Sequence, residues 1–141
     1  AIGRSAKIYA VDASPTMLKN LVQNLRSSIP DEIFKKVLMI NADVNKTTIP
    51  DGDVGLVLFA QILHDIEDQK GFFDEIKRIA NLECRFVNID WHKTETAGMG
   101  PPLEIRLSEN ESRQILKQNG LRVVRALNAG PYHYGLVCKR S

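Results

Sequence analysis

The chain has 141 residues, of which 43% are hydrophobic and 26% charged, with a net charge of +2. That length suits one domain, and that balance excludes a disordered chain. No run of lysine or arginine stands out, so charge does not point to nucleic acid. The longest apolar stretch, Val54 to Ala60 and on through Gln61 to Leu63, is too short to cross a bilayer.

The first predicted strand, Lys7 to Val11, ends at Asp12. Ser14 is suited to cap a helix and Pro15 to open it, because a serine oxygen accepts from an early backbone N–H and the first helical position needs no donor. Met17, Leu18, Leu21, Val22 and Leu25 recur at helical spacing and predict one buried face, read as core packing. A helical turn around Asp31 to Phe34 leads into a strand from Lys36 to Ile40. Asn41-Ala42-Asp43-Val44 and a polar loop follow, and Pro50-Asp51-Gly52-Asp53 carries turn chemistry. Val54 to Ala60 is almost wholly apolar, which predicts a strand covered on both faces near the sheet centre.

Phe72, Phe73, Ile76, Ile79 and Ala80 mark the next helix, with both phenylalanines in the core. A strand from Arg85 to Ile89 ends at Asp90-Trp91. His92 to Leu107 is irregular and holds Gly98, Gly100, Pro101 and Pro102; a stretch of this length is expected to act as a lid. Ser108 and Glu111 form a capping box at the start of a helix that Gly120 terminates. Two closing strands, Leu121 to Leu127 and Tyr134 to Lys139, are joined through Asn128-Ala129-Gly130-Pro131 as an antiparallel hairpin. Strands alternating with helices predict an α/β fold with a mostly parallel sheet. Cys84 and Cys138 have no metal-ligand spacing. Reduced thiols in a cytoplasmic protein are expected, with one disulfide left open.

In open α/β sheets, ligands bind outside the carboxyl ends of the parallel strands. Asp12, Asp43, Gln61, His64, Asp90, Trp91 and His92 fall at or just past such ends, and the hairpin brings Tyr132 and His133 to the same edge. A carboxylate at Asp12 can accept from both hydroxyls of a ribose, since an ionised acceptor makes strong bonds. The alternative is an acid that serves only the helix start or solvent. Asp43 can accept from an adenine amino group while Val44 offers its N–H; the alternative is a turn aspartate. His64, His92 and His133 are candidate bases, and no metal site is expected. Trp91 and Tyr132 are candidates to stack on a planar acceptor, or else are partly buried with the polar tip satisfied. Dinucleotide-type folds place a glycine-rich loop roughly 20 residues before such an acid. Only eleven residues precede Asp12, and they hold no such loop.

Several words of sequence recur together. They are Tyr9-Ala10-Val11-Asp12 with Ser14-Pro15-Thr16-Met17-Leu18, then Asn41-Ala42-Asp43, then Ile49-Pro50-Asp51-Gly52-Asp53-Val54-Gly55-Leu56-Val57. Leu63-His64-Asp65-Ile66-Glu67-Asp68 follows, and Ile89-Asp90-Trp91, Met99-Gly100-Pro101-Pro102-Leu103-Glu104 and Gly130-Pro131-Tyr132-His133-Tyr134-Gly135 come later. In this order and spacing the chain resembles the class I S-adenosylmethionine-dependent methyltransferases. Within them it is similar to the small type 11-like proteins grouped with ubiquinone- and menaquinone-biosynthesis methyltransferases.

The resemblance implies a Rossmann-like, seven-stranded sheet, mostly parallel with an antiparallel last strand, and one methyltransferase domain over residues 1–141. It implies that Asp12, beside Ala13, meets the cofactor ribose. Asp43, between Ala42 and Val44, would meet the adenine. Ala60 and Gln61 would lie near the methionine part, and the segment after Asp90 would help enclose the acceptor, with Trp91, Tyr132 and His133 as contacts. Two departures have consequences. The family's glycine-rich loop and its strand, the middle one of the sheet, are absent, so a longer N-terminus is expected before Ala1. Without that strand its two neighbours should show apolar faces and unpaired backbone groups. Asn81-Leu82-Glu83-Cys84 stands where the family has a Pro-Gly-Gly turn, so a drifted or shortened turn is expected there.

The expected activity is displacement of the sulfonium methyl group of S-adenosylmethionine by a small-molecule acceptor. It needs nucleophile, methyl and sulfur aligned and water kept out. A base is optional; for a hydroxyl or amine acceptor, His64, His92 or His133 would take the proton. Two other readings stand beside it. One is a non-catalytic relative that uses the fold for protein association, and the other is a nicotinamide-dependent oxidoreductase. The expected partners are the acceptor and, as an option, a second copy of the chain. Neither nucleic acid nor membrane is expected.

Overall fold

Residues 6–141, described by the computed structural model, divide into two units, one up to Pro50 and one from Asp51 to Ser141. In the first unit, β1 (Ile8–Asp12) and β2 (Val37–Asn41) pair in parallel from Ile8 opposite Val37 to Asp12 opposite Asn41. The crossover between them contains α1 (Pro15–Ser28) and the single turn α2 (Asp31–Phe34). Ser14 caps α1 by accepting from the Met17 N–H, with Pro15 in the first turn. Of the apolar stripe on α1, Leu18 is buried, Leu21, Val22 and Leu25 are half-buried, and Met17 is 56% exposed. A two-stranded sheet is too narrow a surface to bury the full face that the periodicity predicts.

The second unit holds β3 (Val54–Ala60), α3 (Gln69–Ile79), β4 (Ala80–Trp91), α4 (Glu109–Gln118), β5 (Leu121–Asn128) and β6 (His133–Arg140). The sheet order is β3-β4-β6-β5. β3 runs parallel to β4, and β6 runs antiparallel to both β4 and β5. The closing pair is thus the antiparallel hairpin expected from its short link. Two sheets and six strands are described, where the resemblance implies one sheet of seven.

The core of this unit follows the alternation of its strands. Phe59, Phe86, Leu136 and Cys138 are all buried. Phe59 meets the α3 phenylalanines edge-on, with ring centroids 5.5 Å from Phe72 and 6.4 Å from Phe73. Edge-to-face pairs set the positive rim of one ring against the negative face of the next. On α4, Leu116 is fully buried and the Ser112 hydroxyl meets the Tyr134 hydroxyl. Tyr134 donates to the Leu107 carbonyl, so Ser112 donates to Tyr134. Burial pushes the Tyr134 phenol up to about 12.

Two readings are corrected. Among the described residues β3 is the edge of its sheet, and Leu56 and Leu58 are each 59% exposed. An unbroken apolar run marks a strand but does not say how many neighbours it has. Ala80 opens β4 rather than ending the helix, and the drifted turn expected at Asn81 to Cys84 is an irregularity within that strand: the register slips between Ala80, opposite Val54, and Arg85, opposite Leu56, and the Glu83 N–H donates to Asn81 Oδ1 at 3.0 Å. Arg140 explains how α3 ends without a glycine: its guanidinium donates to the carbonyls of Lys77 and Ala80, the groups a helix end leaves bare. Cys84 and Cys138 are both buried and both free, so the disulfide left open is not formed.

The capping box at α4 is formed as expected, with Ser108 accepting from the Glu111 N–H and Glu111 accepting from the Ser108 N–H. The Ser108 hydroxyl, then the Ser108 N–H and Lys93, hold the Glu111 carboxyl down at about 2. A carboxyl depressed in the fold adds stability above its ordinary value, and that stability fades as pH falls through the depressed one. Ser108→Ala should therefore cost about 1 kcal/mol in urea unfolding, and Phe73→Ala about 3–5 kcal/mol. The stability gap between the parent and Glu111→Gln should be full above pH 4.5 and vanish near pH 2.

Candidate functional site

The carboxyl edge of the first unit is organised by Asn41. Its side-chain amide donates to the carbonyls of Asp12, at 3.0 Å, and Ala13, at 2.9 Å. The Ala42 N–H also reaches the Asp12 carbonyl, at 3.3 Å. Asp12 closes β1, and its Oδ1 accepts from the Ser14 N–H at 2.8 Å. Its second carboxylate oxygen has no partner among the described residues. Asp43 lies two residues past β2 and is exposed. Its Oδ1 accepts from the Asn45 N–H at 2.8 Å, an Asx turn. Val44 beside it is half-buried. The four positions Asp12, Ala13, Ala42 and Asp43 therefore share one edge, and both acids keep an oxygen free to accept.

In the second unit, Ala60 ends β3 and Gln61 turns the chain with φ of 58°. That left-handed conformation is uncommon for a residue with a side chain. The Gln61 N–H donates to the Ile89 carbonyl at 2.7 Å, and its side-chain amide nitrogen lies 3.1 Å from His133 Nε2. An amide nitrogen can only donate, so this ring nitrogen of His133 accepts.

His64 sits in the 3-10 turn Leu63–Asp65, with its side chain 3% exposed. Its Nδ1 lies 3.0 and 3.2 Å from the two carboxylate oxygens of Asp90. Asp90 is 1% exposed and also accepts from the Trp91 N–H at 2.9 Å. A carboxylate only accepts, so Nδ1 carries a proton. Asp65, mostly exposed, approaches that Nε2 to 3.5 Å.

His133 and Trp91 stand opposite each other on β6 and β4, with ring centroids 4.1 Å apart. The Arg106 guanidinium lies 5.4 Å from the Trp91 ring. Gly100, with φ of 81°, packs so close to that ring that a Cβ there would lie 2.6 Å from it. Arg106 is the pin of the long segment after β4. It is 5% exposed and donates to the carbonyls of Pro101, His92, Thr94 and Met99. The irregular stretch from His92 to Leu107 is thus wound around one cation. His92 holds the Tyr132 carbonyl through its own N–H, and its ring lies 5.7 Å from that of Tyr134. Tyr132 is 37% exposed.

The structure therefore joins Gln61, His133 and Trp91 in one chain of contacts and His64 with Asp90 in another. Among the described residues no group of three His, Cys, Asp or Glu is arranged to hold a metal ion. Two residues escaped the sequence reading in their actual roles. Asp90 is the partner of His64, and Arg106 is the hub of the loop. The signal for the second was a lone arginine within a glycine- and proline-rich segment, where bare carbonyls need a donor.

Residues 1–87 match the family described as methyltransferase domain. The chain belongs to the methyltransferase domain family. No curated protein sequence matches it. Its fold is that of solved S-adenosylmethionine-dependent methyltransferases. One, from Aquifex aeolicus, is 30% identical with a TM-score of 0.84, covering 96% of this chain and 70% of that one. A putative type 11 methyltransferase from Sulfolobus solfataricus is 34% identical with a TM-score of 0.76, covering 96% and 71%. The cyclase SpnF shares the fold alone, at 11% identity and a TM-score of 0.74 over 96% of this chain and 67% of that one.

This methyltransferase has a single tryptophan, Trp91. Replacing Arg106 with Met should strip four carbonyls of their donor and uncover the indole. Proteinase K should then cut between residues 92 and 107 at least about tenfold faster, since one lost charged donor costs about 1.5–3 kcal/mol of local closure. Trp91 emission should shift to longer wavelength in the same variant.

Proposed function

We propose that this methyltransferase transfers a methyl group from S-adenosylmethionine to a small-molecule acceptor, and that His64 takes the acceptor's proton where it has one. The observation that carries the donor half is the Asp12 carboxylate at the end of β1, held by the Ser14 N–H through one oxygen only. An ionised acceptor facing a diol makes two strong hydrogen bonds. Asp12 with Ala13 is assigned to the ribose. Ala42, Asp43 and Val44 are assigned to the adenine, and Ala60 and Gln61 to the methionine part, following the family resemblance. The open edge of β3, with Leu56 and Leu58 exposed, suits pairing with one further strand.

When bound, the donor supplies an electrophilic methyl group whose bond to sulfur breaks as the bond to the acceptor forms. The chain's own residues bind, orient and exclude water. Of the three histidines, His64 is favoured as base. Asp90 orients its ring through Nδ1, whereas His133 Nε2 is engaged by Gln61. His92 is the remaining candidate. Trp91, Tyr132 and His133 are assigned to the acceptor, which contacts them from the open side of the hairpin link. Among the described residues no helix is long and apolar enough to cross a membrane. The proposed setting is the cytoplasm.

Isothermal titration with S-adenosylhomocysteine should show binding that Asp12→Asn weakens about 10- to 100-fold, the loss of a charged acceptor. Binding untouched by that substitution would remove the donor assignment. In a transfer assay with labelled methyl donor, His64→Gln should lower kcat by about 10²- to 10⁴-fold, the usual worth of a positioned base. Its affinity for S-adenosylhomocysteine should stay within about threefold of the parent's, since no assigned contact is lost.

A further inference from the structure

Charge is unevenly divided along the chain, although the whole is close to neutral. All 17 Asp and Glu precede Ser112, while six of the 19 Lys and Arg follow it. The 29 residues after Ser112 fold into most of α4 and the β5–β6 hairpin. Arg113, Lys117 and Arg122 line a cavity of about 270 Å³ together with Leu121, Val123 and Ser141. Arg113 is already paired with Glu109, at 2.6 Å. Lys117, Arg122 and Arg125 are exposed, and none of them has an ion-pair partner among the described residues.

The sheet concentrates these charges further. Among the described residues β5 is an edge strand, paired with β6 on one side and open on the other. Arg122 stands opposite Lys139, and Arg125 opposite Val137. Lys139 and Val137 are two apart on β6 and so share a face. Residues three apart on a regular strand point to opposite faces. The register shift between Val123 and Arg125 undoes that, and puts Arg122 and Arg125 on the same side as Lys139. Lys117, on α4, flanks the other face.

We propose that the β5 edge docks an acidic, extended peptide segment of a partner protein. The segment adds a strand beside β5, and its carboxylates meet Arg122, Arg125 and Lys139 on one face and Lys117 on the other. Backbone pairing to an open edge supplies affinity, and alternate side chains supply selectivity. Basic residues and a bulge also discourage two like edges from pairing. That role needs repulsion only, whereas here Lys117 and Arg122 line one cavity with the apolar Leu121 and Val123. Nucleic acid fits less well. No aromatic side chain lines the groove to stack on a base.

The test is fluorescence anisotropy of a labelled decaglutamate peptide titrated with the full chain at low ionic strength. Binding should weaken at least about tenfold in Lys117→Glu/Arg122→Glu, where attraction becomes like-charge repulsion. Lys19→Glu/Lys35→Glu, with the same change in net charge elsewhere, should stay within about threefold, the effect of long-range charge alone. Hydrogen exchange at the β5 amides should slow when the peptide is present. Four results would each overturn the proposal. They are no binding by the parent chain, equal weakening in both double variants, binding without slower β5 exchange, and tighter binding of decauridylate than of decaglutamate.

Discussion

The second unit depends on a buried negative charge. Asp90 is 1% exposed, and an ion so placed is tolerable only when its oxygens are occupied. The His64 ring and the Trp91 N–H occupy them. That arrangement tethers the turn after β3 to the far end of β4, alongside the bond from the Gln61 N–H to the Ile89 carbonyl. It also fixes the orientation of the His64 ring. Because Asp90 lies opposite Tyr134 in the sheet, the same register carries Trp91 to His133 and so to Gln61. Displacing one carboxylate would thus disturb both chains of contacts at this edge.

Much of this was legible beforehand, for reasons local to the sequence. Ser14-Pro15 and Ser108-Glu111 declare helix starts because capping needs particular side chains within three or four residues. The turn residues Asn128 to Pro131 declare a hairpin. The strand-end rule gathered Asp12, Asp43, Gln61, His64 and His133 at carboxyl edges without any knowledge of contacts. What stayed hidden depends on partners distant in sequence. Nothing near Val54 to Ala60 says that β3 pairs on one side. Nothing near Ile79 says that Arg140, some sixty residues on, satisfies the carbonyls at the end of α3. The pairing of His64 with Asp90 spans 26 residues and two elements.

The segment from His92 to Leu107 shows how a long irregular loop can be ordered without regular structure. Loops of this length carry many carbonyls that no ladder pairs, and burying them bare is costly. Arg106 meets four of them with one planar group. Glycines at positive φ let the chain wind closely enough to reach it, Gly100 against the indole above all. The fold itself leaves the chemistry open, since it is shared with a cyclase.

The two cysteines have a practical consequence. Burial pushes the Cys138 thiol up to about 11 and the Cys84 thiol upward as well, so neither offers a thiolate at neutral pH. They sit on the adjacent strands β4 and β6, inside the same packed layer. An alkylating reagent can reach them only when that layer separates. The pace of their modification thus counts how often the sheet comes apart, and gives this chain an internal clock for its own opening.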